Sequence, residues 1–225
     1  MIKTENTEIH GFESALRGMR NPMNSWAMSD TEGESLFTLK EIGSNIPTQM
    51  HVVDIGGNDL ALAIRLCRNG SEHRKFLRFI HVTVDITAPL YWWKQADTYK
   101  FMDTNSCSTM HKLSSAELTA DDFSHDVIND AWLESYLHIM NEKIFIIKNL
   151  KKRGEDGWKE HERALYQMLL DSYNQKRTVT MSYETIVSMC LQRNHHKLQE
   201  WNDFVEWARR LPYMSSFVNA SDWSK

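Results

Sequence analysis

Between Tyr91 and Leu113 the chain reads YWWKQADTYKFMDTNSCSTMHKL, three adjacent aromatics followed by a row of short polar side chains. Asn105, Ser106, Ser108 and Thr109, flanked by Lys100 and Lys112, offer hydroxyl and amide donors beside two cations. Such groups suit a phosphate or the sugar and base edge of a nucleotide, because short donors approach oxygen closely and lysine supplies the counter-charge. An ordinary Ser/Thr loop has the same composition. Tyr91, Trp92 and Trp93 have faces that can stack on a planar ring, and aromatics beside a strand equally well fill a core. Arg193 and Lys197, one helical turn apart with Gln199 beyond, make a cationic face that suits a phosphate or simply solvent.

Other chemistries find less support. The histidines His73, His81, His111, His195 and His196 lack the H-x-x-x-H spacing of a helical metal site, so no metal is expected. Gly56-Gly57 in VVDIGGND is not the G-x-G-x-x-G of a dinucleotide fold, and no G-x-S-x-G elbow is present. With 26 basic and 30 acidic residues the formal charge is -4, which gives no basic footprint for nucleic acid. Cys67, Cys107 and Cys190 are odd in number and far apart, which argues against a disulfide scaffold or thiolate zinc site and fits a reducing cytoplasm. MIKTENTEIHGFE lacks an apolar leader, and IFIIKNL is too short to span a bilayer, so a soluble protein is expected, with no membrane partner.

The elements that must position these residues are partly readable. The 225 residues, 41% of them hydrophobic, are expected to form one mixed α+β domain over 1–225. Residues 1–50 are punctuated by Gly and Pro and read as turn-rich, coil or an active-site loop. From Asn58 the apolar residues Leu60, Leu62, Ala63, Leu66 and Cys67 predict a helix that stops at Asn69-Gly70. Phe79 to Ile86 alternates as a half-buried strand, with His81, Thr83 and Asp85 on its polar face; Thr87-Ala88-Pro89 should break it, and Leu90 to Ala96 should open a helix. The polar row after it reads as helix or irregular loop. Ser115 and Asp121 are capping-type residues that introduce further helices, KKRGEDGWKEHER reads as a solvated turn, and Tyr183 to Leu211 as one long helix.

Read as a whole, VTVDITAPLYWWKQADTYKFMDTNSCSTMH resembles, without a gap, the central segment of the flavin-dependent thymidylate synthases, FTFxIxxPxFxxRQWxRHRxxSxNExSxRY. Thr83, Pro89 and Gln95 fall on family positions, Lys100 on the second arginine of R-H-R, and Asn105 and Ser108 on the asparagine and second serine. NDLALAIRLCRNGSEHRKF is similar to the helix leading into G-H-x-x-P-F-E-H, with His73 on the first histidine, and TIVSMCLQRNHHKLQEW to the L-R-x-x-x-x-A-Q helix, with Arg193 and Gln199 on its arginine and glutamine. The resembling stretches make up under half of the chain.

The resemblance implies an α+β fold with a central antiparallel or mixed sheet flanked by long helices. It implies an enzyme that carries a one-carbon unit from methylenetetrahydrofolate to C5 of dUMP, with FAD as cofactor, NADPH as reductant and a cytoplasmic homotetramer that shares its sites between subunits. Carried over by position, Ser108 and Arg193 would be catalytic and share one anion pocket; Gln95, Lys100, Ser106, Ser108 and Arg193 would bind substrate; His73, Lys100, Asn105 and Gln199 would bind the flavin. The departures fall in the motif itself. Thr98 and Tyr99 replace the arginine and histidine of R-H-R, Asp103 the first serine, Ser106 the glutamate, Met110 an arginine, His111 the terminal tyrosine, and Phe79 the second histidine upstream. Met110 in particular shifts the anion's counter-charge onto Lys112, Lys176 or Arg177. Two other outcomes therefore stay open: a nucleotide-binding homologue without flavin catalysis, and a different C5 modification of a pyrimidine nucleotide.

Overall fold

The computed structural model describes residues 2–222, apart from the side chains of Met110 and His111. In chain order the elements are β1 (Lys3–His10), α1 (Phe12–Arg20), β2 (Glu34–Leu39), β3 (Thr48–Val53), α2 (Gly57–Arg68), β4 (His81–Pro89), α3 (Leu90–Ala96), β5 (Met102–Ser106), α4 (Thr109–Lys112), α5 (Asp130–Arg153), α6 (Trp158–Met168), β6 (Asn174–Ser182), α7 (Tyr183–Arg193), α8 (Gln199–Arg210) and α9 (Met214–Ser221). This is the mixed helix and sheet class that the sequence predicts. Among the described residues no helix is long and apolar enough to cross a membrane. The chain divides into two compact units.

The larger unit comprises Ile2–Ile86, Ala96–Asn105 and the chain from Arg177. Its sheet has the order β1-β4-β6-β5, and β2 pairs antiparallel with β3, Glu34 opposite Val53 and Leu39 opposite Thr48. The alternation along β4 decides what faces the core: Val82, Val84 and Ile86 are fully buried while His81 is exposed. On the polar face Asp85 accepts from Thr178 Oγ1 at 2.6 Å and Asn6 Nδ2 at 3.1 Å, linking β6 and β1 to β4. Helical spacing places Tyr183, Phe204, Trp207 and Phe217 in the core, where Phe12 meets Tyr183 and Phe76 meets Phe217 edge to face. Burying side chains of this size stabilises by about 1.5–3 kcal/mol each. Cys67 and Cys190 are also buried, and burial pushes both thiols up to about 12, so neither is a nucleophile at neutral pH.

The smaller unit comprises Thr87–Gln95 and Ser106–Lys176. Its core is built on α5, whose Leu133, Tyr136, Met140, Ile144 and Ile147 recur every three or four residues and pack with Leu113, Phe123 and Leu165. Asn129 caps that helix by accepting from Trp132 N at 3.1 Å, and Gly154, at φ 67, ends it in the left-handed region where a side chain would be strained. Trp92 and Trp93 are core residues, Trp93 Nε1 donating to Gln175 O at 2.9 Å. They are not a stacking platform.

Several expectations need correcting. Residues 1–50 contain β1, α1, β2 and the start of β3, because the Phe12, Ala15, Leu16, Met19 stripe and the strand pairings outweigh the scattered glycines. Strand β4 runs through Thr87-Ala88 to Pro89, which sits at the end where no further N–H is required. The first part of the polar row is a strand, β5, not helix or loop. Ser115 caps no helix; its hydroxyl donates back to Lys112 O at 2.6 Å. Of KKRGEDGWKEHER, only the stretch from Gly154 to Gly157 turns; α5 lasts to Arg153 and α6 begins at Trp158. The single helix expected from Tyr183 is two, α7 and α8, parted where His195 adopts φ 57.

One buried ion pair gives the first prediction. Arg20 Nε donates to Asp59 Oδ1 at 2.6 Å, the two side chains being 4% and 0% exposed. Asp59→Ala leaves the Arg20 cation uncompensated and should lower the unfolding free energy by about 3–5 kcal/mol, read as a lower urea midpoint; an unchanged midpoint contradicts the assignment. Burial alone would raise the Asp59 pKa, but the bonds from Thr31, Ser29 and Arg20 and the Arg20 charge outweigh it and hold the carboxyl below its ordinary value. Its contribution is therefore full above the ordinary carboxylate range and is lost as pH falls through the depressed folded value. The midpoint difference between wild type and Asp59→Asn should shrink as the solution is acidified.

Candidate functional site

In the larger unit the passage from β6 into α7 forms one wall of a cavity of about 730 Å³. Ser182 ends the strand and caps the helix, its Oγ accepting from Thr185 N at 3.3 Å. Glu184, in the first helical turn, is held by Arg74 Nε at 2.8 Å. The wall also includes Arg78 and His81, where the chain enters β4, and the segment Tyr99, Lys100 and Phe101 that leads into β5. Phe101 has φ 63 and is 85% exposed, a strained backbone presenting an aromatic ring to solvent. Two basic side chains, Arg78 and Lys100, outnumber the carboxylate of Asp103 in this lining once Glu184 is paired, and beside Tyr99 and Phe101 they give the cavity the means to take an anion that carries a planar ring.

In the smaller unit a cavity of about 180 Å³ is lined by Ser108, Thr109, Lys112, Gln175 and Lys176, among others. Its shape depends on Gln175, which is buried: Nε2 donates to Cys107 O at 3.0 Å and to Thr109 Oγ1 at 3.1 Å. Cys107 N donates in turn to Lys176 O at 3.0 Å, so the chain before α4 is pinned to β6 by backbone and side chain together. Of the three cations able to replace the arginine missing at Met110, Lys112 and Lys176 join Ser108 around this cavity. Arg177 does not; it lies in the larger unit and pairs with Asp97 at 2.7 Å.

The remaining expected residues lie as follows. Lys100 lines the larger cavity. Arg193 is half-buried in the larger unit, its Nε donating to Tyr99 Oη at 2.8 Å and its guanidinium lying 4.7 Å over the Trp201 ring, with His196 Nε2 3.3 Å away. Burial, then the charges of Arg193 and Lys197, push the His196 pKa down. Gln199 is exposed at the start of α8 and donates to Asp203 Oδ1 at 2.8 Å. His73 is exposed ahead of the short 3-10 helix Arg74–Phe79. Asn105 and Ser106 are exposed at the end of β5, and Gln95 is half-buried on α3. None of Arg193, His73, Asn105, Ser106, Gln95 or Gln199 belongs to the lining of either cavity, so Arg193 does not join Ser108 in the lining of the smaller one. The side chains at Met110 and His111 lie outside the described residues.

Sequence reasoning overlooked Arg78 and Phe101 as site residues, and nothing local marks either. His81 had a signal: the alternation that buries Val82 and Val84 sets it on the polar face with Thr83 and Asp85.

No protein-family model matches the sequence, and no curated protein matches it. Solved structures do match in three dimensions. Thymidylate synthase X from Helicobacter pylori, solved with FAD and dUMP, superposes with a TM-score of 0.68 over 98% of this chain and 99% of that one, at 13% identity. A second structure of the H. pylori flavin-dependent thymidylate synthase, also complexed with FAD and dUMP, gives 0.68 over 96% and 97%, again at 13% identity. A UMP/dUMP methylase, PolB from Streptomyces cacaoi, bound with 5-Br UMP, gives 0.59 over 99% of this chain and 96% of that one, at 12% identity. The chain has the fold of the flavin-dependent thymidylate synthases.

Proposed function

We propose that the protein is a thymidylate synthase-like enzyme that methylates C5 of a uracil nucleotide, dUMP in the first instance, with methylenetetrahydrofolate as one-carbon donor, FAD as cofactor and NADPH as reductant. The observation that carries this reading is the fold shared along nearly the whole chain with an enzyme solved with FAD and dUMP. The chemistry of the two cavities agrees with it. Lys112, Lys176 and the hydroxyls of Ser108 and Thr109 suit the nucleotide phosphate. Arg78 and Lys100 suit the diphosphate of a flavin nucleotide, and Tyr99 and Phe101 its flat rings, so the residues present fit the cofactor. FAD, when bound, supplies the hydride. The chain's own residues then bind and orient, placing fixed positive charge near the phosphates and ring oxygens and keeping the ring stacked. A homotetramer belongs to this reading, and sedimentation velocity measures it.

One observation favours a second reading, a nucleotide-binding homologue without flavin catalysis. Where R-H-R would stand, Thr98 and Tyr99 bring no charge, and the Tyr99 hydroxyl accepts from Arg193. Purified protein incubated with FAD and desalted should retain flavin absorbance, and should then form dTMP from dUMP, methylenetetrahydrofolate and NADPH. Thermal stabilisation by dUMP with no flavin retained selects the second reading, and absence of both effects removes the two together.

The cations divide the work. Lys112→Ala and Lys176→Ala should each weaken dUMP binding by roughly tenfold or more, the loss of a charge-assisted bond of about 1.5–3 kcal/mol. Lys100→Ala should weaken flavin retention and leave dUMP affinity in place. Calorimetric titration with dUMP, alongside flavin absorbance, checks all three, and a Lys100→Ala protein that loses dUMP but keeps FAD reverses the assignment.

A further inference from the structure

Between α3 and β5, residues 97–101 form only turns and bends, and this stretch brings Tyr99, Lys100 and Phe101 to the larger cavity. Thr98, Lys100 and Phe101 are exposed, whereas Tyr99 is half-buried. Two side-chain bonds tie the stretch to the rest of its unit. Arg177 pairs with Asp97 at 2.7 Å where it begins, and Arg193 Nε donates to Tyr99 Oη at 2.8 Å in its middle. The Asp97 side chain is 48% exposed, so water competes for that pair and the bond to Tyr99 is the firmer tie.

Arg193 is the last residue of α7, and the first two turns of that helix line the same cavity through Glu184, Thr185 and Ser188. Arg193 itself does not line it. Its guanidinium lies 4.7 Å over the ring of Trp201, which is fully buried, and 5.5 Å over the ring of Tyr99, the two ring centroids being 5.9 Å apart. A planar cation seated on a buried ring aims its Nε–H in a set direction, and the Tyr99 hydroxyl accepts there. Helix α7 thus supplies one wall directly and fixes another through its last side chain.

We infer that Arg193 is a positioning residue: it acts on the larger cavity through Tyr99, holding in place the stretch that presents Lys100 and Phe101, and not as a ligand contact of its own. Only the ligand arm of the test rests on the flavin reading above. In flavin-free protein, trypsin reports the order of the stretch, since Lys100 is exposed and cleavage after it requires local opening. Arg193→Ala should speed that cleavage about tenfold, and so should Tyr99→Phe, which removes one oxygen and keeps the ring should the first variant fail to fold. Other cut sites, identified by mass, should keep their rates. The double variant should be cut no faster than either single one, because both break the same bond. Fluorescence titration with FAD should repeat the cycle, each variant weakening FAD about tenfold and the pair no further. Additive effects in either readout, wild-type cleavage or FAD affinity in Arg193→Ala, or a loss of dUMP binding in Arg193→Ala that Tyr99→Phe does not share would overturn the inference. Wild-type protein that takes no FAD removes the flavin reading, and the trypsin cycle then decides the inference alone.

Discussion

A carboxylate withdrawn from water must be surrounded by donors, and the N-terminal part of this chain is arranged to meet that requirement at Asp59. Asp59 takes bonds from Arg20 at the end of α1 and from Ser29, Asp30 and Thr31 in the segment that follows. Asp30 reciprocates, its carboxylate accepting from Asn58 N at 2.8 Å and Asp59 N at 3.1 Å, so the start of α2 is capped by the loop it anchors. The approach is close enough to require glycine: a Cβ on Gly56 would lie 2.2 Å from Asp30 O. Glu41 solves the same problem elsewhere, gathering Thr4, Thr7, Thr48 and Trp207 around one buried side chain. A segment without an obvious apolar period is ordered by polar bonds to distant partners.

The same economy of donors shapes the cavities. Gln175 Nε2 is committed to Cys107 O and Thr109 Oγ1, which fixes that wall of a cavity also lined by Ser108, Lys112 and Lys176. Glu184 is neutralised by Arg74, so against Arg78 and Lys100 the wall of the larger cavity sets one further carboxylate, Asp103, which leaves a single positive charge in excess. Lysine differs from the arginines of the resembling motif in geometry more than in charge: it is a point cation on a flexible stem and cannot grip two oxygens in a plane. A site built on Lys100, Lys112 and Lys176 therefore holds its anion with less directional control than one built on guanidinium groups.

Tyr99 illustrates how a fold persists while its motif changes. At the position of the motif's histidine it accepts a bond from Arg193, and with Trp201 it forms an aromatic surface under that guanidinium. A cation over an aromatic face is stabilised by the ring quadrupole, so Arg193 is held by both rings as well as by the Tyr99 hydroxyl. Lys100 and Ser108 line cavities, whereas His73, Asn105 and Gln199 are exposed and line neither.

What the sequence by itself determined is what neighbouring residues decide among themselves. Helix α2 follows from apolar spacing and the Asn69-Gly70 stop, α3 follows Pro89, and the alternation of β4 sorts His81 from Val82 because successive side chains must point to opposite faces. The polar row was legible as a set of oxyanion donors, since hydroxyls and lysines carry that chemistry wherever they sit. Strands β5 and β6 were not legible, because a strand's hydrogen bonds are made with partners remote in the chain. Nor was the break between α7 and α8, where His195 turns left-handed within a sequence of helical period. Only the tertiary structure could bring Lys176 beside Ser108, or Tyr99 to the guanidinium of Arg193, since each depends on which distant side chains arrive.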